Sequence, residues 1–130
     1  MRGLIAFAVI GLAVFATPSR AHHSFAAEFD EKKCIFFEGV VTRIEWTNPH
    51  VFFFLNIKEG DGHIVNWAFE TAGPNTLSHL GWKRDSLKIG DRVKVSAYAA
   101  WDGARIASAR TVVLADGQKM SAGSPGDGGP

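Results

Sequence analysis

A chain of 130 residues, 46% hydrophobic and 12% aromatic, has apolar surface enough for one core and no room for a second. Its 14 basic and 13 acidic residues nearly cancel and no run of Lys or Arg interrupts it, so the electrostatic footprint of a nucleic-acid binder is missing. The single cysteine, Cys34, excludes an intramolecular disulfide and any metal site built on paired thiolates, and it reads as a small hydrophobe at the start of a strand.

The first residues carry a three-part export pattern. Arg2 supplies a positive charge, residues 4–16 form an unbroken apolar run, and Thr17-Pro18-Ser19-Arg20-Ala21 closes it with small residues. Thirteen apolar residues fall short of the roughly 17–25 that cross a bilayer as a helix, so a cleaved signal over residues 1–21 is expected and no stable membrane span after it. Cleavage would remove Arg2 and Arg20 and no acid, taking the formal charge from +1 to −1. The destination expected is periplasmic or secreted.

Residues 22–34 are polar and mixed and read as an N-terminal extension. Residues 35–46, rich in Val, Ile, Phe and Thr, read as a first strand. Thr47-Asn48-Pro49 is turn chemistry, because Pro49 fixes its own φ and pushes Asn48 out of the helical region. Residues 51–58 alternate as a second strand, with Val51, Phe53, Leu55 and Ile57 on the buried face. After the loop Glu59-Gly60-Asp61-Gly62, a third strand runs over 63–70, with Val65, Trp67 and Phe69 on one side.

Gly73-Pro74 breaks the strand, and 75–80 predicts one short helix ended by Gly81. A fourth strand is expected over 92–99 and a fifth over 105–114, the latter with Ile106, Val112 and Leu114 on one side and Ala107, Ala109 and Val113 on the other. Residues 119–130, ending in Gly, Ser and Pro, read as a disordered tail. Five strands with one short helix between the third and fourth is the element order of an OB-fold. The expected class is therefore all-β with one short helix, an OB-fold-like, five-stranded, partly open Greek-key barrel over 35–118, preceded by a signal peptide.

The wording of the chain also matters: Ala21-His22-His23-Ser24-Phe25, Gly39-Val40-Val41, Glu45-Trp46-Thr47-Asn48-Pro49-His50 and Asn66-Trp67-Ala68-Phe69-Glu70, followed by Gly81-Trp82 and Gly90-Asp91. This resembles the bacterial secreted family known as domain of unknown function 6152, up to about residue 123. The resemblance implies export and a compact β fold similar to small periplasmic OB-like proteins. It carries over no catalytic residue.

A cut after Ala21 would leave His22 first, offering its amine and its imidazole together, with His23 beside it. Copper(II) favours such nitrogen donors in a tetragonal plane, and a third histidine would complete a histidine brace. His50, placed by the Pro49 turn, is the candidate, against the reading that it only caps the turn through a backbone hydrogen bond. A cut before Ala21 would instead put His23 third, where an amine, two backbone amides and one imidazole can wrap copper or nickel without His50. His63, in a hairpin, and His79, on a helix face, read as surface residues.

Trp46, Asn48 and Trp67 are candidates for a small apolar or sugar-like ligand, with core packing the competing account of the tryptophans. The acids nearest the motifs, Glu28, Asp30, Glu45 and Glu70, show no spacing that marks acid–base work. No Gly-x-Ser-x-Gly elbow, His-Glu-x-x-His or phosphate loop is present, so catalysis is not expected. An enzyme with an amino-terminal copper is disfavoured, since about 109 residues leave little surface for a polymer substrate. The leading expectation is an exported binding or accessory protein holding copper through His22, His23 and His50, with a protein or small ligand as partner. The alternative is a metal-free structural or interaction module with an aromatic face.

Overall fold

The computed structural model describes residues 24–127; the expected signal, His22 and His23 lie outside the described residues. The element order is α1 (Phe25–Glu28), β1 (Phe29–Glu45), β2 (Phe52–Lys58), β3 (Ile64–Glu70), α2 (Pro74–His79), β4 (Arg92–Ala100), β5 (Ile106–Val113) and β6 (Lys119–Ser121), then a 3-10 turn, Pro125–Asp127. No described helix is long and apolar enough to cross a membrane.

The strands form one sheet in the order β3-β2-β1-β4-β5-β6, and β3 also meets β5. Every pairing is antiparallel except β3–β5, a parallel contact through Ala68–Ile106, Phe69–Ala107 and Glu70–Ser108. Five strands therefore close in the ring β1-β2-β3-β5-β4, with α2 between the third and fourth. The fold is mostly β and OB-like in this order, although closure by so short a contact makes it a ring-like curled sheet rather than a fully bonded barrel.

Alternation places the core inside the ring. Phe53, Leu55 and Phe69 are wholly buried, and Leu77 of α2 plugs the interior with Trp82 beside it. The Phe53 and Phe69 rings stack at 5.1 Å, and Phe37 meets Phe69 edge-on at the same distance.

Four expectations are corrected. First, the extension does not end at residue 34: β1 already begins at Phe29, which pairs with Ala100 and is buried, because it packs with Tyr98 and Ala100 in a second, smaller cluster. Second, Cys34 is exposed rather than packed as a small hydrophobe. Third, the two sides of β5 are not the predicted ones. Ser96 faces Thr111 while Ala97 faces Ala109, so Arg110 is an extra residue in the ladder, and beyond this bulge the inward phase passes from Ala107 and Ala109 to Val112 and Leu114.

Fourth, 119–127 is built into the fold. β6 pairs with β5, and Met120, Ala122 and Ser124 are buried. The Trp82 Nε1–H donates to the Ser121 carbonyl at 2.7 Å, and the Ser108 and Ser124 hydroxyls lie 3.0 Å apart. Small residues made this stretch look structureless, yet their size is what lets backbone pack against α2.

Candidate functional site

Three chain segments meet where β2 begins, β3 ends and β6 gives way to the last turn. The Val51 carbonyl accepts from both the Thr71 amide and the Thr71 hydroxyl at 2.9 Å, and the Ala72 amide donates to the Ala122 carbonyl at 2.9 Å. Thr71 is buried, so these bonds fix the direction of its own carbonyl. That carbonyl accepts from the His50 Nδ1 at 2.8 Å, with Glu70 Oε1 3.4 Å from the same nitrogen.

The bond has a chemical consequence. A backbone carbonyl only accepts, so Nδ1 must carry a proton, and in the neutral imidazole the lone pair is left on Nε2. A hydrogen bond from the other ring nitrogen to a backbone carbonyl is how proteins orient a metal-binding histidine. The His50 side chain is 36% exposed. The competing account of His50, a cap on the turn, describes the same bond and leaves Nε2 without a task.

The turn that carries His50 is held from below. Its Asn48–Pro49 peptide is cis, and Gly73, preceding α2, approaches so closely that a Cβ there would lie 2.6 Å from the Pro49 carbonyl oxygen. No residue but glycine fits this approach without a shift. His50 thus lines a cleft of about 590 Å³ together with Gly73, Thr76 and His79 at α2 and Pro125 and Asp127 of the last turn.

His79, expected only as a surface residue, is exposed and shares this cleft. Sequence spacing gave no hint of that, since 29 residues separate it from His50. His63 is exposed in its hairpin, with Nδ1 2.7 Å from Asp61 Oδ2, an interaction that holds the Asp61 carboxyl below its ordinary range. Among the described residues no group of three or more His, Cys, Asp or Glu could hold a metal by itself, so a complete donor set would need ligands from His22 or His23.

The other candidates do not converge. Trp46 and Trp67 are half-buried and pack against the core, the Trp67 ring 4.8 Å from Phe37, whereas Asn48 is exposed on the turn. Glu45 pairs with Arg43 at 3.4 Å, and the Arg43 guanidinium lies 3.8 Å from the Phe54 ring centroid.

The last turn, which contributes Pro125 and Asp127 to the cleft, is tied to the amino-terminal segment. Phe25 packs 5.6 Å from both Phe29 and Tyr98, and a Cβ on Gly126 would fall 2.6 Å from the Phe25 ring. The described chain therefore starts beside Pro125 and Asp127, which line the cleft that holds His50.

With that geometry in place, comparison with known families finds a match over residues 9–109 to one described as a family of unknown function, DUF6152. The chain belongs to this family. No curated protein matches it. The match covers the turn that carries His50, the helix that carries His79, strands β1 to β4 and the first half of β5, and leaves the chemistry to be argued from the residues.

Proposed function

We propose that this protein is exported, loses residues 1–21, and serves as a periplasmic or secreted accessory protein that holds a copper ion at its new amino terminus. His22 supplies its amine and imidazole, His23 stands beside it, and His50 Nε2 supplies the nitrogen from the folded domain. The charge-led, apolar first segment supports export. Nitrogen donors of this kind favour copper(II) over calcium or magnesium, which take oxygen ligands.

One observation carries the reading: Phe25, the anchor of the amino-terminal segment, packs on Gly126, whose chain neighbours Pro125 and Asp127 line the cleft that His50 also lines. His22 lies three residues before Phe25, so an extended chain reaches about 10 Å from that anchor. The His50 tautomer is already the ligating one, so the domain's nitrogen needs no rearrangement.

Two measurements test it. Intact mass of the exported protein should place the first residue at His22. Competition titration should then give a copper affinity that drops at least ten-fold in His22→Ala and in His50→Ala and is unchanged in His63→Ala. Affinity should also weaken as pH falls through about 8, because copper must displace the proton of an amine with that reference pKa. Equal copper binding by wild type and His50→Ala overturns the brace and leaves the metal-free module.

A further inference from the structure

The outer face of the sheet carries a second concavity. Phe37 points into the ring against Phe69, so alternation along β1 turns Phe36 and Glu38 outward, and Phe36 is 83% exposed. From these two residues the registers extend two rows across four strands. Phe36 faces Ser96, Ser96 faces Thr111 and Thr111 faces Ser121; one step along the same face, Glu38 faces Lys94, Lys94 faces Val113 and Val113 faces Lys119. Residues of both rows line a groove of about 460 Å³, inside the range of roughly 300–1,000 Å³ that small-molecule sites occupy. It shares no lining residue with the His50 cleft.

The groove is rich in donors that lack acceptors. Lys94 and Lys119 stand on either side of Val113, each directly opposite it on a neighbouring strand, so their stems begin about 5 Å from its Cβ. Neither ammonium pairs with a carboxylate among the described residues. The acid that lines the groove, Glu38, lies instead 3.7 Å from Arg92, which leaves the local charge positive. The Ser96 and Thr111 hydroxyl oxygens are 2.6 Å apart, so one O–H is spent on the other and the second finds no acceptor among the described residues.

A lone exposed phenylalanine is ordinary on a protein surface. Phe36 differs because its groove also offers the half-buried Val113 and the apolar stems of two lysines whose charges are unspent. We infer that this groove binds a free amphiphilic anion, a carboxylate carried on an acyl chain: the chain covers Phe36 and Val113, and the carboxylate accepts from Lys94 and Lys119. Charge complementarity chooses the occupant. A cationic amphiphile would meet two ammoniums, and a purely apolar one would leave them unused. A stable protein interface needs about 800 Å² on each partner, far more than one ring and one valine supply. The inference does not depend on the copper reading, since the two sites have no residue in common.

The experiment uses the exported protein with decanoate below its micellar concentration as the probe, followed by amide chemical shifts and calorimetry. Saturable shifts are expected at 94–96, 111–113 and 119–121, with decyltrimethylammonium producing none there. Affinity for decanoate should fall about three-fold in Lys94→Gln and in Lys119→Gln, the scale of a partly exposed ion pair. It should fall about ten-fold in Phe36→Ala, which removes the apolar surface to be covered. Lys58→Gln, an exposed lysine outside the groove, should leave it unchanged. Equal binding of the cationic and anionic probes, or equal decanoate affinity in wild type and the three groove variants, overturns the site. Binding to phosphatidylglycerol vesicles without saturable decanoate shifts overturns it in favour of a membrane surface. Self-association that Phe36→Ala abolishes, again without decanoate shifts, overturns it in favour of a second copy of the chain.

Discussion

Strand β4 is shared by two hydrophobic clusters of opposite character. On its inward side Val93, Val95 and Ala97 join Phe53, Phe69, Leu55 and Leu77 in the main core. On its outward side Tyr98 and Ala100 join Phe29, Phe25 and Ile106 in a small annex closed by the first and last described segments. The core is held mainly by apolar contact. The annex joins α1 to the 3-10 turn Pro125–Asp127, and it is held as much by the close approach of Gly126 to Phe25 and by a charged clasp, the Asp127 Oδ1 accepting from the Tyr98 hydroxyl and from Arg110 Nε at 2.7 Å, as by burial. Interiors made of packed rings resist local opening, whereas terminal segments with few apolar partners open at little free-energy cost.

The sharpest break of that contrast is Phe69→Ala. Phe69 is wholly buried, stacks on Phe53 and meets Phe37 and Trp67, so its truncation opens a cavity in the larger of the two described clusters. The expected loss is about 3–5 kcal/mol, read by chemical denaturation as a global shift of the midpoint. A midpoint shift no larger than that of a surface substitution would mean the ring interior is not the main source of stability. The equivalent truncation in the annex, Phe25→Ala, removes a half-buried ring and should cost less than half as much.

Trp82→Phe tests the join between the core and the last segment. It keeps most of the ring while deleting the Nε1–H that donates to the Ser121 carbonyl, and the carbonyl loses its partner in a part-buried place. About 1–3 kcal/mol is expected. Exchange should rise first at 119–124, ahead of β2 and β3, and uniform exchange along the chain would show that β6 is held by something other than this bond.

The same contrast explains what the sequence revealed. Strands over 51–58 and 63–70 were legible because each faces a partner a few residues away, so that period-two alternation and the register agree; Phe53 against Phe69 is an example. The annex was opaque. Phe25 and Phe29 sit in a stretch whose remaining residues are polar, and nothing in Gly123-Ser124-Pro125-Gly126-Asp127 announces that an aromatic ring will rest on it. The β5 sides were misassigned because one extra residue, Arg110, reverses phase, and a bulge leaves no compositional mark when the residues around it are small. For the site, the Pro49 turn pointed to His50 directly, whereas the meeting of His50, His79 and Asp127 in one cleft depends on the fold alone.

The smallest effect, and the one that isolates the annex, is alkaline. Tyr98 is the chain's only tyrosine, so tyrosinate absorbance reads this group alone. Burial first, and then the bond to Asp127 with its negative charge, push its pKa from 10.0 up to about 12, while Arg110 acts the other way and Cys34 adds slightly to the rise. A folded pKa above the unfolded one means that the protonated phenol stabilises the native state. The contribution is fully present below pH 10 and is lost as pH rises toward 12. The ionised ring can no longer donate to Asp127 and repels it, so the clasp should open between these limits before the core does. The measurement is a tyrosinate titration in wild type and Asp127→Ala, paired with hydrogen exchange over residues 25–29. The variant should titrate lower than wild type but still above 10, since burial remains. A wild-type midpoint at the ordinary value would place the phenol in water and remove the donor on which the clasp depends.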